Sequence, residues 1–224
     1  MYTVDNFIDG NKTSSRSDSF LPIFNPSTGE QQGKVINSND EDIKNLINSS
    51  LLGFKEWSKF TPLKRSRILS KYKNLIEKNI SDLAKTVSIE HGKTYEDAVG
   101  SVTRGLEVVE FACGIPHLLK GEFSQNVGTN IDSWSIRQPL GITLGITPFN
   151  FPAMVPMWMF PISIACGNSF ILKPSEKNPS CSIKLAELFI EAGLPKGVLN
   201  VINGNKDVVN KLLSNSNIQS VSFV

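Results

Sequence analysis

The chain has 224 residues, of which 40% are hydrophobic, and it carries 23 basic against 21 acidic side chains. This composition is typical of a globular protein and excludes a disordered, collagenous or coiled-coil chain. The formal net charge of +2 favours neither nucleic acid nor an anionic membrane as a partner. Three cysteines are too few for a disulfide framework, so we expect a cytoplasmic protein. The two histidines, His91 and His117, lack metal-ligand spacing with any cysteine, so no metal site is expected.

The segment between Arg137 and Lys173 contains no charged residue and is long enough to cross a bilayer, which takes ~20 apolar residues. Five prolines and two asparagines interrupt it, namely Pro139, Pro148, Asn150, Pro152, Pro156, Pro161 and Asn168. We therefore interpret it as buried strands and a helix joined by tight loops. The N-terminus has no basic start followed by an apolar run, so no secretory signal is expected.

Short strands and turns are predicted over residues 2–35, where glycines and prolines separate short apolar runs such as Phe20–Phe24. Four helices are predicted to follow, from acidic or proline-containing first turns and from apolar residues three to four apart. They begin at Asn39–Asp42, Pro62, Ser81–Asp82 and Thr94, and the last two end at Gly92 and about Cys113.

Residues 121–139 show a different pattern from the helices before them. Ile131–Arg137 alternates partly between apolar and polar side chains, and Gly128 supplies a turn. This pattern predicts a β-hairpin arm with one apolar face.

From Gly141 onward, predicted strands and helices alternate with short links, which indicates a parallel α/β sheet. The predicted strands are Ile142–Thr147, Ser169–Lys173, Val198–Ile202 and Ile218–Val224, and the predicted helices are Ala153–Cys166, Ser180–Ala192 and Lys206–Leu213. We therefore divide the chain into an N-terminal part at 1–120, the arm at 121–139 and an α/β region at 140–224.

Two polar clusters follow the first two strands of this region, at Thr147–Pro152 and Lys173–Lys177. Ligands bind beyond the carboxyl ends of strands in open α/β sheets, so these clusters form the candidate site. Asn150 is interpreted either as a helix cap or as an oxyanion donor, an amide placed where charge develops on a carbonyl oxygen. Glu176 and Lys173 are interpreted either as a solvated turn or as ligands of the two ribose hydroxyls of a dinucleotide.

The cysteines and one arginine are further candidates. Cys113 and Cys166 lie in apolar helix patterns and are expected in the core. Cys181 falls in the first turn of a predicted helix, where a thiolate is favoured, but no histidine accompanies it in the sequence. Arg104 either forms a surface ion pair with Glu107 or another helix neighbour, or binds a substrate carboxylate with its guanidinium fork.

The two clusters lie within ITPFNFPAMVPMWMFPISIACGNSFILKPSEKNP, residues 146–179, a sequence that closely resembles the aldehyde dehydrogenase superfamily. The resemblance extends over nearly the whole chain, through NFIDG, NPSTGE, HGKTYEDAVGSVTRGLEVVEFA, PKGVLNVINGNKDVVNKLL and SVSFV. Most members of the superfamily carry Trp where Phe149 stands and Lys where Met159 stands. Phe149 and the run PMWMFP at 156–161 resemble the methylmalonate-semialdehyde dehydrogenase branch, which is acylating and depends on coenzyme A.

The resemblance implies an α/β fold with a Rossmann-like, NAD-binding parallel sheet, N-terminal helices and a β-hairpin arm for homo-oligomerisation as a dimer or tetramer. It implies that Asn150 is the side-chain oxyanion donor. It also implies that Lys173 and Glu176 hold the adenosine ribose of NAD. Because the Glu176 carboxylate would repel a 2′-phosphate, NAD is expected in preference to NADP.

The same resemblance implies roles for four further residues. Thr147 and Phe149 would line the cofactor cleft, and Lys177 would lie at its rim. Arg104 would bind the carboxylate of the small-molecule aldehyde substrate, because an arginine offers two parallel donors to one carboxylate.

In this superfamily the nucleophilic cysteine and the general-base glutamate lie beyond the equivalent of Val224, so the catalytic domain is expected outside this chain. The uncapped strand Ser220–Val224 likewise favours a chain that continues. A cysteine elsewhere in the complete protein would attack the aldehyde, hydride would pass to NAD, and coenzyme A would accept the acyl group. Two alternatives stay open: a hydrolytic semialdehyde dehydrogenase, and a non-catalytic truncated product. This chain alone is expected to be inactive.

Overall fold

The protein was analysed as a computed structural model, which describes residues 1–15 and 17–224. Over these residues the chain forms helices and short strands in the order predicted for an α/β protein. The helices are α1 (Asp40–Trp57), α2 (Pro62–His91), α3 (Tyr95–Cys113), α4 (Met154–Ala165), α5 (Ser180–Glu191) and α6 (Lys206–Leu213). The strands are β1 (Tyr2–Val4), β2 (Asn6–Ile8), β3 (Asn11–Thr13), β4 (Phe20–Phe24), β5 (Gln31–Ile36), β6 (Phe123–Gly128), β7 (Ile131–Trp134), β8 (Ile142–Ile146), β9 (Ser169–Lys173), β10 (Leu199–Val201) and β11 (Ile218–Phe223).

Side-chain caps explain where the N-terminal helices begin. Asn39 and Asp42 form a reciprocal capping box at the start of α1. Thr61 and Thr94 cap α2 and α3 by accepting a backbone N–H bond from the first turn. Gly92 ends α2 in the left-handed conformation, with φ of 84°, so only three residues separate α2 from α3.

The predicted helix boundary at Ser81–Asp82 is wrong, because α2 runs without interruption through these residues to His91. The segment between Pro62 and Gly92 contains no glycine or proline that would break a helix. The buried stripe also continues across the predicted boundary, from Ile76 to Leu83, which are seven residues apart. Ser81 and Asp82 therefore lie on the polar side of one long helix.

The main sheet has six strands in the order β11-β8-β9-β10-β2-β3. The four strands from residues 140–224 are parallel, which confirms the predicted parallel α/β region, and β2 and β3 add an antiparallel edge. From β8 the chain moves outward through β9 to β10, and it then returns through α6 to β11 on the other side of β8. The strand order therefore reverses beside β8, the position where open α/β sheets bind ligands.

Helices cover both faces of this sheet. Ile142, Leu144 and Ile146 of β8 belong to a core cluster with apolar residues of α1 and α6. Phe170 and Leu172 of β9 belong to the other cluster, with apolar residues of α2 to α5. Because successive residues of a strand point to opposite faces, a continuous apolar run fills both layers.

Two smaller sheets complete the fold. β1, β5 and β4 form a three-stranded sheet, and β6 and β7 form the predicted hairpin arm. Every residue of β7 is exposed, as are all residues of β6 except Gly128, which is half-buried. In the described part of the chain, no helix is both long and apolar enough to cross a membrane.

Candidate active site

The two polar clusters lie side by side at the carboxyl edge of the sheet. Ile146 of β8 and Lys173 of β9 are register partners, and both strands end at this pair. The backbone N–H of Thr147 donates to the carbonyl oxygen of Lys173 at 3.1 Å. The loops Thr147–Pro152 and Pro174–Pro179 therefore leave neighbouring strands at the same level. This arrangement follows from the parallel register, which brings the ends of consecutive strands to one edge.

Lys173 and Glu176 form an ion pair at the start of the second loop, with Lys173 Nζ 3.1 Å from Glu176 Oε2. The Lys173 side chain is only 6% exposed, whereas that of Glu176 is 39% exposed. Partial burial tends to raise the pKa of Glu176, but its own backbone N–H and the ammonium groups of Lys173 and Lys177 outweigh burial. The pKa of this carboxyl is therefore below its ordinary value, and Glu176 is an ionised acceptor at neutral pH.

Phe149 and Lys177 face each other across the two loops. The Lys177 ammonium lies 4.3 Å from the centroid of the half-exposed Phe149 ring. The buried Asn178 side chain donates from Nδ2 to the carbonyl oxygen of Phe149 at 2.7 Å. These contacts connect the loop after β8 to the loop after β9.

The edge between the two loops retains unused hydrogen-bonding capacity. Thr147 Oγ1 is buried and has no hydrogen-bond partner among the described residues. The Lys173 ammonium and the ionised Glu176 carboxylate come from the end of the neighbouring strand and the loop after it, and the last carbonyl group of that strand is hydrogen-bonded to the Thr147 N–H. A hydroxyl, a cation and an anionic acceptor together match the hydroxyl groups of a sugar, which both donate and accept. The residues present therefore fit a ribose-containing cofactor.

Asn150 is exposed, and its side-chain amide makes no hydrogen bond to any residue that the structure describes. The helix-cap interpretation of Asn150 is wrong: α4 begins after Ala153, and no side chain caps it. The Asn150 backbone carbonyl oxygen accepts a hydrogen bond from Lys93 Nζ at 3.2 Å. The amide is thus free to donate to a ligand while its backbone is held.

A groove of about 320 Å³ lies between α3 and the first loop, and its lining contains Arg104, Lys93 and Phe151 together with the carboxylates of Glu96 and Asp97. Arg104 is exposed and forms no ion pair with any described residue, so the alternative of a pair with Glu107 or another helix neighbour is not observed. Its guanidinium is free to bind a carboxylate in the groove. Lys93, whose pKa is lowered by burial and raised in part by Asp97, adds a second positive charge, so two cations and two carboxylates line the groove.

The cysteines do not supply a nucleophile. Cys181 is buried in the first turn of α5, and burial, together with the nearby Glu90 carboxylate, raises its thiol pKa to about 12. Cys113 and Cys166 are half-buried against the core, as expected, and burial raises the pKa of each. Among the described residues, no group of three His, Cys, Asp or Glu side chains can hold a metal ion.

Sequence reasoning missed Lys93 and Asn178, whose side chains both hold the first loop. Lys93 lies between two capped helices, and Asn178 lies two residues before the start of α5. Neither position carries a local signal, because both contacts cross more than 25 residues of sequence. His91 is half-buried; burial and the Lys93 charge lower its pKa, and a hydrogen bond to the Asn150 backbone partly opposes them.

The chain is similar to several known proteins. Residues 12–224 match the aldehyde dehydrogenase family. A malonate-semialdehyde dehydrogenase from Pseudomonas aeruginosa is 50% identical over 100% of this chain and 45% of its own length. The mitochondrial, acylating methylmalonate-semialdehyde dehydrogenase of Arabidopsis thaliana is 47% identical over 99% of this chain and 36% of its own length.

A solved structure from Sinorhizobium meliloti, described as a methylmalonate-semialdehyde dehydrogenase complexed with NAD, superposes with a TM-score of 0.97 at 52% identity. The superposition covers 100% of this chain and 45% of that chain. The chain therefore spans less than half the length of these relatives.

Proposed function

The chain belongs to the aldehyde dehydrogenase family, and from this premise we propose that the complete protein oxidises methylmalonate or malonate semialdehyde to an acyl-coenzyme A with NAD. One observation carries the proposal. The register pair Ile146 and Lys173 sets the Asn150 loop beside the Lys173–Glu176 pair, next to a groove that contains Arg104. The proposed hydrogen-bond donor to the aldehyde oxygen, the proposed ribose site and the proposed carboxylate site are thus neighbours.

The cofactor is assigned to the edge where the two loops meet. Lys173 donates to, and Glu176 accepts from, the adenosine ribose hydroxyls, while Thr147 and Phe149 line the cleft and Lys177 lies at its rim. NAD supplies the acceptor for the hydride when it is bound. Because Glu176 is ionised at neutral pH, it repels a 2′-phosphate and favours NAD over NADP.

The substrate is assigned to the groove beside α3. Methylmalonate and malonate semialdehydes each carry a carboxylate at the end remote from the aldehyde. Arg104 forms no ion pair with the described residues, so its guanidinium group is available to bind the substrate carboxylate. With the carboxylate held there, the Asn150 amide donates to the aldehyde oxygen as that atom gains negative charge.

The proposed reaction also needs a nucleophile and an acceptor for the acyl group. Because Cys181 is a buried neutral thiol, the attacking cysteine is assigned to a part of the complete protein beyond these 224 residues. Coenzyme A is proposed as the co-substrate that accepts the acyl group. The exposed hairpin at 121–139 is proposed to join copies of the chain into a homo-oligomer.

The cofactor assignment is tested by Glu176→Ala in the complete protein. Removing charge-assisted bonds to the ribose, together worth ~1.5–3 kcal/mol, weakens NAD binding by about 10- to 100-fold. Discrimination against NADP falls at the same time, because the repulsion is lost. Glu191→Ala is the matched control, since Glu191 is exposed on α5 and has no ion-pair partner among the described residues. An unchanged NAD affinity by titration would show that Glu176 is only a turn residue.

The substrate assignment is tested by Arg104→Leu with the carboxylated semialdehyde and with propanal. We expect kcat/KM to fall roughly 10²-fold, ~3 kcal/mol of transition-state stabilisation, for the semialdehyde alone. Arg67→Leu on α2 is the control, because Arg67 is also exposed and pairs with no described acid. An equal loss on both aldehydes would assign Arg104 a packing role.

The acylating chemistry is tested by the need for coenzyme A. Turnover that requires coenzyme A and releases a thioester supports the proposal. Turnover in its absence, with release of a free acid, supports the hydrolytic alternative. A natural 224-residue product that binds NAD but turns over neither aldehyde supports the non-catalytic, truncated alternative.

A further inference from the structure

Asn150 lies in the Thr147–Pro152 loop, and its own side chain does nothing to fix its position there. That side chain is exposed and makes no hydrogen bond to the described residues. No side chain caps the helix that follows either, because Ala153 occupies the N-cap of α4. The position of the amide therefore depends on what holds the loop backbone.

Two consecutive carbonyl groups of this loop are held by side chains from separate parts of the fold. Asn178 Nδ2 donates to the Phe149 carbonyl oxygen at 2.7 Å. Lys93 Nζ donates to the Asn150 carbonyl oxygen at 3.2 Å and lies 4.3 Å from the centroid of the Phe151 ring. Asn178 is only 3% exposed, so its contact is shielded from water. The Lys93 bond is charge-assisted, which strengthens it relative to a neutral bond, and it is exposed to solvent.

The backbone around Lys93 is itself fixed. Gly92 ends α2 in the left-handed conformation, and a Cβ atom at this position would lie 2.7 Å from Pro26 Cγ. Thr94 caps α3 two residues later. Lys93 is therefore anchored between two capped helices, and its side chain reaches the loop from a rigid base.

We propose that Lys93 and Asn178 are positioning residues that clamp the Thr147–Pro152 loop and so aim the Asn150 amide. Lys93 connects the loop to the proposed substrate groove, and Asn178 connects it to the proposed ribose loop. This inference rests on the proposed function, because it gives the clamp a catalytic purpose only if Asn150 is an oxyanion donor. Small misplacements of such a donor are costly, since a shift of ~1 Å can lower a rate about 10²-fold.

The test in the complete protein is a double-mutant cycle between Lys93→Met and Asn150→Ala. We expect Lys93→Met to lower kcat by roughly 10-fold or more while the dissociation constant of NAD changes less than about twofold. In the Asn150→Ala background, Lys93→Met should cause no further loss, because both changes remove the same interaction. Lys93→Arg, which keeps the cation and the donor, should retain most of the activity. Lys78→Met, at an exposed and unpaired position of α2, is the matched control.

Asn178→Ala tests the other half of the clamp. It removes the donor to the Phe149 carbonyl oxygen, so it should lower kcat in the same non-additive way with Asn150→Ala. Because Asn178 follows the ribose loop, a loss of NAD affinity as large as the loss of kcat would instead assign it to cofactor binding and overturn this half of the proposal.

A measurement on the 224-residue chain separates the clamp from the chemistry. In the unsubstituted chain, ¹⁵N order parameters of the Phe149, Asn150 and Phe151 amides should be near the rigid value of ~0.85, and in Lys93→Met they should fall towards ~0.6. Unchanged order parameters, or additive losses of kcat in the cycle, would overturn the clamp. If Asn150→Ala leaves kcat unchanged, the oxyanion role in the proposed function fails, and the order parameters still decide whether the clamp exists.

Discussion

The hairpin arm and the parallel strands beside it are both rich in apolar residues, yet they meet opposite environments. All ten residues of β8 and β9 are buried. In the arm, Phe123 and Trp134 are 66% and 67% exposed. The strands of the sheet have helices on both faces, whereas the two-stranded arm has no covering layer within the described chain. The contrast shows that an apolar strand is not buried by its composition alone. It is buried only where helices or other strands of the chain cover it.

The largest predicted effect is a loss of stability when a side chain is removed from the covered core. Phe160 is fully buried among the rings of Tyr72, Phe170 and Phe189. Phe160→Ala should lower the free energy of unfolding by ~3–5 kcal/mol, because it removes apolar contacts and leaves a cavity. Trp134→Ala in the arm should change it by less than ~0.5 kcal/mol in the monomer. Urea denaturation of both variants makes the comparison, and equal losses would contradict it.

The next effect concerns the reactivity of a buried thiol, that of Cys181. Because burial and the nearby Glu90 carboxylate raise the thiol pKa of Cys181 to about 12, little thiolate is present at pH 8. We expect alkylation by iodoacetamide to be ~10²-fold slower than for an ordinary thiol of pKa ~8.5, after allowing for the greater nucleophilicity of a more basic thiolate. Mass spectrometry of the labelled peptides follows the reaction, and unfolding in urea should restore the ordinary rate. Fast labelling of folded protein at Cys181 would show that it is accessible and ionised.

Two helical glycines, one against a packed surface and one against open space, allow a further comparison. At Gly53 of α1, a Cβ atom would overlap the carbonyl carbon of Gly197, where the helix crosses a turn. Gly53→Ala should therefore cost ~1–3 kcal/mol through overpacking. At Gly100 of α3, a Cβ atom would meet nothing within 4 Å. Gly100→Ala should stabilise the chain by ~0.4–1 kcal/mol, because alanine restricts the unfolded chain. Thermal unfolding of both variants should show shifts of opposite sign.

The smallest effect is a pH dependence at the edge of the sheet. The folded-state pKa of Glu176 lies below 4.5, so the stability it contributes is present above that pH and is lost as pH falls through the folded value. Its side chain is 39% exposed, and solvent screening limits the contribution to less than ~0.5 kcal/mol. Glu176→Gln should thus differ slightly from the unsubstituted chain at pH 7, and the difference should shrink as the pH falls below 4.5. A larger difference at low pH than at pH 7 would reverse the sign of this argument.

Local patterns were sufficient for much of the fold. The sequence predicted β9 and α6 with the observed ends, because an apolar run and a capped amphipathic turn are each stabilised by nearby residues. It also predicted that the clusters carrying Asn150 and Glu176 follow consecutive strands. The parallel register then brings them together, since both strands end at one edge of the sheet.

Tertiary structure decided the features that depend on distant surfaces. The pairing of β2 with β10 joins residues more than 190 positions apart, and no local pattern specifies such a partner. The continuity of α2 through Ser81 depends on a buried stripe that neighbouring helices cover. The hold of Lys93 and Asn178 on the Asn150 loop likewise arises only when three separate segments meet. Local energies select the elements of this protein, whereas their partners are selected by competition among all the surfaces that the chain can bury.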